Sequence, residues 1–398
     1  MEARRKVSSG MNGLPDADGP IVAIGELLWD LLPDGPHLGG APFNVAVNLR
    51  RLGRPTALVS AVGADDAGDR AISEVERLGV DATWVQTRQA AATGTAVAIL
   101  DSAGSPTFEI VRPAAFDGLD LDSQSILEIA QTSPAAIVMG TLAQQSQTVR
   151  SATSRLLEAC PGAIRLYDVN LRDGGWDAPL VNNLLEGATI IKFNEVEAGV
   201  LAETLGLHLE DHPKLMRALA RVTGARAICM TRGANGASLL LDGAFVQGAP
   251  PAIDVSDAVG AGDAFAAGLL DGILAGQNAV SILRRSMAMG ALVATRAGAT
   301  PDWTSRDLDL VLASTPVPTP ALLWLLRDLR AETRHVARES SLVVRNSSSR
   351  RPAEQAATLP NARPRQRQAA RPSTAFDRRS RTAGGRQPAA GLPTPSVR

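Results

Sequence analysis

Runs of consecutive apolar residues alternate with helical segments through most of this chain, and this alternation limits the fold more than any other feature. The clearest runs are residues 135–140, 164–170, 189–194 and 227–233. Strands that are buried on both faces of a parallel sheet have this unbroken apolar character. The sequence therefore predicts an α/β fold, with a mostly parallel central sheet flanked by helices on both faces.

Polar residues gather where three of these predicted strands end. They are Asp168, Asn170 and Arg172 after one strand, Asn194 and Glu197 after the next, and Thr231, Arg232 and Gly233 after a third. Parallel sheets bind their ligands beyond the carboxyl ends of the strands. We expect one crevice to collect these side chains.

The charge of the chain is unevenly distributed. Residues 316–398 contain 16 Arg, no Lys and 5 acidic residues, whereas the whole chain has a formal net charge of −1. The main body is therefore acidic, which argues against a nucleic-acid-binding surface on it. Residues 316–338 can form one amphipathic helix, and we expect residues 339–398, rich in Arg, Pro and Ser, to be disordered. That tail is either a solvated appendage or a contact for acidic partners.

Two features predict a cytoplasmic protein. Cys160 and Cys229 are far apart and belong to no metal-binding or redox motif, which favours free thiols in a reducing compartment. The polar leader over residues 1–19, which we expect to be disordered, lacks the apolar run of a signal peptide. No later segment offers 18 uninterrupted apolar residues, so we expect no membrane partner.

The stretch Asp-Ala-Val-Gly-Ala-Gly-Asp-Ala-Phe, residues 257–265, leads directly into a predicted helix. A Gly-Ala-Gly turn at a helix start exposes backbone N–H groups, which together with the helix dipole attract an anion such as a phosphate. Asp263 follows the turn and is placed to accept a proton from a hydroxyl. Alternatively, Asp263 only complements the helix dipole. The three lysines of the chain lie outside any P-loop motif, and no dinucleotide-binding Gly motif follows the first strand.

Two longer segments carry a specific resemblance. Residues 39–53 (GGAPFNVAVNLRRLG) and 257–270 (DAVGAGDAFAAGLL) resemble the signature segments of the ribokinase-like, PfkB-type carbohydrate kinases. Four shorter motifs agree in the same order: GELLWD (25–30), DVNLR (168–172), NEVE (194–197) and TRGANG (231–236). The resemblance covers about residues 20–315 and implies a single kinase domain there.

The resemblance implies a ribokinase-like fold with a small β-sheet lid. We expect lid strands over about residues 31–42 and 95–112, and the two short runs joined by Ser-Ala-Gly-Ser in the latter range independently predict a β-hairpin. The family activity is ATP-dependent phosphorylation of a hydroxymethyl group, usually on a sugar, with Mg²⁺ as cofactor. A monovalent cation and a homodimer formed through the lid are further expectations.

The resemblance also assigns catalytic roles. Asp263 matches the catalytic base, and Gly260, Ala261 and Gly262 match the anion hole. Arg172 resembles a position that reaches toward the transferred phosphate or the sugar; a structural salt bridge is its alternative role. Phosphoryl transfer depends mainly on positioning and electrostatics, so a cation there has a clear purpose.

The residues that the resemblance implies for sugar binding lie in the first half of the chain. Asp30 matches the carboxylate that accepts hydrogen bonds from sugar hydroxyls, with a solvated strand end as its alternative. Asn44 stands at a predicted helix start, so it could instead cap that helix. The full predicted set is Asp30, Gly39, Gly40, Asn44, Arg112, Asp168 and Asn170.

A third group is implied for nucleotide and metal. Glu197, with Asn194, matches a motif that organises Mg²⁺ largely through water, although the same spacing forms a helix capping box. The predicted nucleotide-binding residues are Asn194, Thr231, Gly233, Gly236 and Asp257. This chain departs from the family pattern at Ala258 and Val259, where two hydroxyl side chains are common, and at Met287, where related fructokinases often carry Asn.

These features predict a sugar kinase of the fructokinase-like branch, with fructose as the expected substrate. Ribose, 2-keto-3-deoxygluconate and nucleosides remain alternatives, because their kinases share this scaffold. A catalytically weak, sugar-binding regulatory protein is a second alternative. The retained Asp263 and Gly-Ala-Gly turn argue against it.

Overall fold

The computed structural model describes residues 18–32, 35–100, 106–172, 175–206 and 211–320, with backbone alone at 98–100 and 106–108. Fourteen strands lie in these ranges, and the predicted apolar runs are among them. They are β1 (Ile21–Ile24), β2 (Leu28–Leu32), β3 (Gly35–Gly39), β4 (Thr56–Gly63), β5 (Asp81–Arg88), β6 (Gly94–Leu100), β7 (Pro106–Ile110), β8 (Ala136–Gly140), β9 (Ile164–Asp168), β10 (Ile190–Asn194), β11 (Ala227–Thr231), β12 (Ala237–Leu241), β13 (Ala244–Gly248) and β14 (Thr319–Pro320).

Ten α-helices connect and cover these strands within the described residues. They are α1 (Ala41–Arg51), α2 (Asp66–Arg77), α3 (Ser123–Gln131), α4 (Gln147–Ala159), α5 (Ala178–Leu185), α6 (Glu195–Thr204), α7 (His212–Thr223), α8 (Ala261–Leu274), α9 (Ala279–Ala294) and α10 (Ser305–Ser314). Helix α1 ends just before Gly53, as its pattern predicts.

The large sheet has the strand order β14-β13-β12-β11-β10-β9-β8-β1-β4-β5. The seven strands from β5 to β11 pair in parallel, and β12, β13 and β14 continue the sheet antiparallel at one edge. The predicted mostly parallel sheet is therefore confirmed. The carboxyl ends of the seven parallel strands all lie on the same side of the sheet, and the polar residues named above lie at or just after these strand ends.

Helices cover both faces of this sheet. Alternate residues of one strand belong to different cores: Ile21 and Ala23 pack with α1, α8 and α9, whereas Val22 and Ile24 pack with α4 to α7. Side chains of a strand point alternately to opposite faces, so an unbroken apolar strand needs cover on both sides.

A second, four-stranded sheet has the order β3-β2-β6-β7. It contains the predicted hairpin, since β6 and β7 pair antiparallel. The first pair of lid strands differs from the predicted range of 31–42. Strands β2 and β3 occupy residues 28–32 and 35–39, and Ala41 already begins α1 because the chain turns at Gly40 with φ of 122°.

The large, ten-stranded sheet continues past the predicted domain end at Thr315. Strand β14 pairs with β13, so residues 319–320 are strand rather than part of the predicted 316–338 helix. Residues 316–318 are not helical either, and residues 321–338 of that predicted helix, the 339–398 tail and residues 1–17 of the leader lie outside the described residues. Within the described part of the chain, no helix is both long enough and apolar enough to cross a membrane.

Candidate active site

A cleft of about 330 Å³ opens between the carboxyl ends of the large-sheet strands and the inner face of the small sheet. Its volume lies within the range of small-molecule sites. Predicted residues that line it are Asp30, Gly40, Asn44, Asn170, Arg172, Asn194, Thr231, Gly260, Gly262 and Asp263. The structure thus brings together residues from both signature segments and from three strand ends.

The predicted anion hole lies at the start of α8. Gly260 precedes the helix with φ of 77°, and a Cβ there would collide with the carbonyl oxygen of Ala299, so glycine is required on both counts. Ala261 N–H donates to Ala258 O at 3.3 Å, whereas the N–H groups of Gly262 and Asp263 have no acceptor among the described residues. The first N–H groups of a helix need an outside partner, and an anion in the cleft can supply it.

Asp263 contacts Asn44 across the cleft. The Asn44 side-chain amide donates to Asp263 Oδ2 at 2.8 Å, although 219 residues separate them. The predicted alternative of a helix cap for Asn44 is wrong, because Gly40 is the N-cap residue of α1 and Asn44 lies inside the helix. Asn44 therefore orients the candidate base.

The cleft shifts the acidity of Asp263. Burial, followed by the nearby charge of Asp168, raises its pKa from 3.8 to about 6, while Lys192, Asn44 and Arg172 act in the opposite direction. A proton acceptor works best when its pKa approaches the working pH. Asp263 is therefore a stronger base than an exposed aspartate and stays ionised at neutral pH.

Lys192 is a cleft residue that the sequence analysis missed. It belongs to β10, lines the cleft and lies beside Gly262, whose added Cβ would be 3.5 Å from Lys192 Nζ. Nζ also donates to both carboxylate oxygens of Asp168, at 2.9 and 2.8 Å, and this pair is almost fully buried. Asp168 itself is placed behind the cleft wall rather than in contact with the cavity. A lone Lys within an apolar strand was the available signal.

Glu26 is the second residue that was missed. It follows β1, is 3% exposed and lines the cleft. Its Oε1 accepts the N–H of Ala41 at 3.2 Å, and burial raises its pKa from 4.5 to about 7. A single acidic residue between two apolar strands was the sequence signal here, in the motif already used to predict Asp30.

Asp30 lies in the middle of β2 and faces the cleft, so the solvated strand end is not its position. Burial raises its pKa from 3.8 to about 6, and interactions with the nearby Arg172 and His37 reduce that effect. Gly39, on the paired strand β3, does not itself line the cleft. It lacks the Cβ that would collide with Asp30 Oδ2.

Arg172 and Asn170 follow β9 at the cleft wall. Asn170 adopts a left-handed backbone conformation with φ of 36°, which turns the chain at the strand end. Arg172 is exposed, and it forms no ion pair with any residue in the described ranges. Within the described ranges, no carboxylate therefore supports its alternative role as a structural salt bridge.

Glu197 and Asn194 form the capping box that was the alternative to a metal role. Asn194 Oδ1 accepts the Glu197 N–H at 2.9 Å, and Glu197 Oε2 accepts the Asn194 N–H at 2.8 Å. The other oxygen of Glu197 accepts the N–H of Leu171 at 2.8 Å, so this carboxylate also ties the segment after β9 to the start of α6. Burial and the charge of Asp168 raise the pKa of Glu197.

Besides Gly39, Asp168, Glu197 and Ala261, four further predicted site residues do not line the cleft. Arg112 is held away by an ion pair with Asp117 and by hydrogen bonds to Gln145 and the Leu142 carbonyl, so its predicted contact with substrate is not supported. Gly233 and Gly236 shape the turn after β11, where a Cβ on Gly236 would collide with the Gly248 carbonyl.

Asp257, the fourth, supports the anion-hole turn from behind. Its two oxygens accept the N–H groups of Val259 and Gly298, at 2.9 and 3.0 Å.

Of the three positions that depart from the family pattern, Ala258 and Val259 line the cleft, whereas Met287 is buried in the core beneath β13. Replacing hydroxyl side chains by Ala258 and Val259 makes this part of the wall less polar.

Known proteins share both the sequence pattern and the fold. Residues 35–306 match the domain described as pfkB family carbohydrate kinase. A fructokinase from Klebsiella pneumoniae is 30% identical over 274 residues, which are 65% of this chain and 85% of that protein.

Two solved structures extend the comparison. Fructokinase from Xylella fastidiosa with bound ATP shares the fold, with a TM-score of 0.66 at 24% identity over 74% of this chain and 98% of that one. A double mutant of fructokinase from Vibrio cholerae O395, bound to fructose, ADP and potassium ion, has a TM-score of 0.63 at 26% identity over 75% and 99% of the chains. The chain belongs to the pfkB family of carbohydrate kinases, within which it resembles the fructokinases.

Proposed function

We propose that this carbohydrate kinase transfers the γ-phosphoryl group of ATP to a primary hydroxyl of fructose. The observation that carries the proposal is the position of Asp263, which lies at the start of α8 in the same cleft as Asp30, Asn44 and Lys192. Fructose is supported by relatives from Klebsiella pneumoniae and Vibrio cholerae, because both are named as fructokinases and the latter was solved with fructose and ADP.

In the proposed reaction, Asp263 accepts the proton of the attacking hydroxyl. Asn44 fixes the orientation of the carboxylate through its bond to Oδ2, at 2.8 Å. As the hydroxyl oxygen bonds to the γ-phosphorus, the bond from phosphorus to the β,γ-bridging oxygen breaks and ADP leaves. The N–H groups of Gly262 and Asp263, with the nearby Lys192 ammonium, stabilise the charge on the transferred group.

Arg172 is proposed to assist this charge stabilisation. It lines the cleft with no ion pair to a described residue, so its guanidinium can form charge-assisted hydrogen bonds to a phosphate or sugar oxygen. Asn170 and Asp30 are proposed to contact the sugar. Asn194 and Thr231 line the cleft where β10 and β11 end and are proposed to contact the nucleotide.

The donor set fits Mg²⁺ only through water. No group of three or more His, Cys, Asp or Glu in the described ranges could hold a metal ion directly. Each oxygen of Glu197 accepts one backbone N–H and keeps a lone pair for a water molecule. Mg²⁺ keeps several waters and takes few carboxylates, and when bound to ATP it neutralises phosphate charge. A monovalent cation is a further candidate, because a potassium ion is bound in the Vibrio cholerae structure.

The small sheet is proposed to act as a lid and as a dimer interface. Leu28 and Ala96 face the cleft, while Leu31 and Val97, which are paired across β2 and β6, expose 41% and 38% of their surface on the other side. Covering the sugar excludes water, which limits ATP hydrolysis without sugar. A second copy of the chain is proposed to cover the exposed apolar side. The cytoplasmic location and the absence of nucleic-acid and membrane partners stay predictions.

The test of the function is ADP release with MgATP across fructose, ribose, 2-keto-3-deoxygluconate, tagatose and adenosine. We expect fructose to give the highest kcat/KM. Turnover of another sugar instead would overturn the substrate assignment and leave the kinase assignment standing. Sugar-induced thermal stabilisation without ADP release would favour the regulatory, sugar-binding alternative.

A further inference from the structure

Glu26 is held rigidly where β1 ends at the cleft. The preceding Gly25 donates its N–H to Val59 O at 3.1 Å, and its carbonyl accepts the Ser60 hydroxyl at 2.7 Å. The backbone carbonyl of Glu26 also lies against Gly40, where a Cβ would collide with it. These contacts fix the Glu26 backbone between β1, β4 and the start of α1.

The two carboxyl oxygens of Glu26 have different surroundings. Oε1 accepts the N–H of Ala41 at 3.2 Å, which satisfies the first turn of α1. Oε2 is fully buried and has no hydrogen-bond partner among the described residues. Leaving a buried polar atom without a partner is energetically unfavourable. A purely structural role would need only the first oxygen.

The position of the side chain indicates what Oε2 contacts. Glu26 lines the same cleft as Asp30 and Asp263, and the charges of Asp263 and Arg172 act on its carboxyl. Its raised pKa, about 7, means that protonated and ionised forms coexist near neutral pH. A sugar hydroxyl both donates and accepts hydrogen bonds, so it is a suitable partner for either form.

We infer that Glu26 is a sugar-binding residue whose Oε2 forms a hydrogen bond with a hydroxyl of the acceptor other than the one that Asp263 deprotonates. This inference rests on the proposed function for the identity of the sugar. Glu26 thereby contributes to specificity, because a site built to bond a hydroxyl rejects an analogue that lacks it. The bond also satisfies the buried oxygen.

The test is a cycle between single-deoxy analogues of fructose and variants of Glu26. Binding of fructose and of each analogue is measured by calorimetry with the full chain, for wild type, Glu26→Gln and Glu26→Ala. We expect wild type to lose about 10- to 100-fold in affinity for one analogue, the size of a hydrogen bond to a charged group. In Glu26→Ala the ratio of the affinity for fructose to that for this analogue should shrink to about twofold. Glu26→Gln should give a ratio between those of wild type and Glu26→Ala.

A matched control distinguishes the loss of a direct bond between Glu26 and the sugar from an indirect effect of removing a carboxylate. Glu203→Gln removes an exposed carboxylate on α6 and should reproduce the wild-type preference for every analogue. Glu26→Gln keeps an oxygen for the Ala41 N–H, so it tests the inference even where Glu26→Ala fails to fold. An equal loss of affinity for fructose and all analogues in both variants would overturn the inference and leave Glu26 as a support for α1.

Failure of the inference and failure of the proposed function give different results. If wild type phosphorylates another sugar, the fructose assignment fails, and the same cycle on deoxy analogues of that sugar still tests Glu26. If fructose is phosphorylated but Glu26 variants show unchanged discrimination, only the inference fails. If wild type binds no sugar, both fail.

Discussion

Two groups of carboxyl side chains meet at the cleft, and their surroundings differ. Asp168, Glu197 and Asp257 lie behind the wall, and each has both oxygens bonded within the protein, to Lys192 or to backbone N–H groups. We call them the paired carboxylates. Glu26, Asp30 and Asp263 line the cavity, and burial raises the pKa of each. We call them the cleft carboxyls.

The difference separates carboxyl groups that stabilise the fold from carboxyl groups that can act on the substrate. The paired carboxylates join strand ends and turns: Asp168 joins β9 to β10, and Asp257 joins the anion-hole turn to Gly298. Glu26 is buried, Asp30 and Asp263 are partly buried, and all three have few internal partners, so their ionised forms are costly until a substrate binds. Removing a paired group should therefore cost mainly stability, and removing a cleft group should cost mainly activity.

The largest expected effect is the loss of Asp263, a cleft carboxyl. Asp263→Asn removes the proton acceptor and should lower kcat by about 10³-fold, within the range for general base catalysis. The measurement is steady-state ADP release at saturating sugar and MgATP. Asp309→Asn, at an exposed position on α10, is the control and should match wild type. A variant within tenfold of wild type would show that Asp263 is not the base.

Breaking the ion pair between Asp168, a paired carboxylate, and Lys192 should lower stability. Lys192→Met leaves the buried Asp168 carboxylate without its cation, which should lower the free energy of unfolding by about 3–5 kcal/mol. Urea denaturation measures this change, and Lys192→Met combined with Asp168→Asn should recover part of it. Because Lys192 also lines the cleft, activity falls as well. Unchanged stability would remove the distinction between the two groups.

The anion-hole turn depends on both backbone conformation and space. Gly260→Ala should cost about 1–2 kcal/mol for a left-handed backbone, and more because its Cβ would collide with Ala299. Gly224→Ala is a matched control, since Gly224 has φ of 73° with open space around it, against 77° at Gly260. Urea denaturation of both variants isolates the collision. Equal losses would mean that the turn can relax.

Activity should follow the ionisation of the cleft carboxyls. Asp263 must be ionised to accept a proton and its pKa is about 6, so kcat/KM should rise with pH to a plateau above that value. Below pH 6 the rate should fall about tenfold per pH unit, more steeply if Asp30 must also be ionised. A pH–rate profile between pH 5 and 8 measures this. A flat profile would contradict Asp263 as the base.

The smallest expected effect is a gain in stability. The folded pKa of Asp263 is raised from 3.8 to about 6, so its ionised form costs stability, which falls as the pH rises through this window and stays low above it. Asp263→Asn lacks this cost and should raise Tm by roughly 2–4 °C at pH 8, with a smaller gain at pH 5. Calorimetric melting measures both. A lower Tm at pH 8 would indicate that the Asp263 charge stabilises the fold.

The sequence by itself determined the architecture, the anion-hole turn and several of the residues that line the cleft. Unbroken apolar strands that alternate with helices predict a covered parallel sheet, and seven parallel strands confirm it. The Gly-Ala-Gly turn before α8 was also predictable, because a helix start and its N–H groups depend on neighbouring residues alone. Family resemblance then pointed to Asp30, Asn44 and Arg172, which all line the cleft.

Tertiary structure alone decided which side chains meet. Asn44 reaches Asp263 across 219 residues, and no local spacing encodes that distance. The missed cleft residues, Glu26 and Lys192, lie in or beside apolar strands whose pattern indicated only burial. Arg112 was predicted to touch the sugar, but Asp117, five residues away, holds it instead. Sequence patterns report contacts along one element, whereas the order of strands in the sheet sets the contacts between elements.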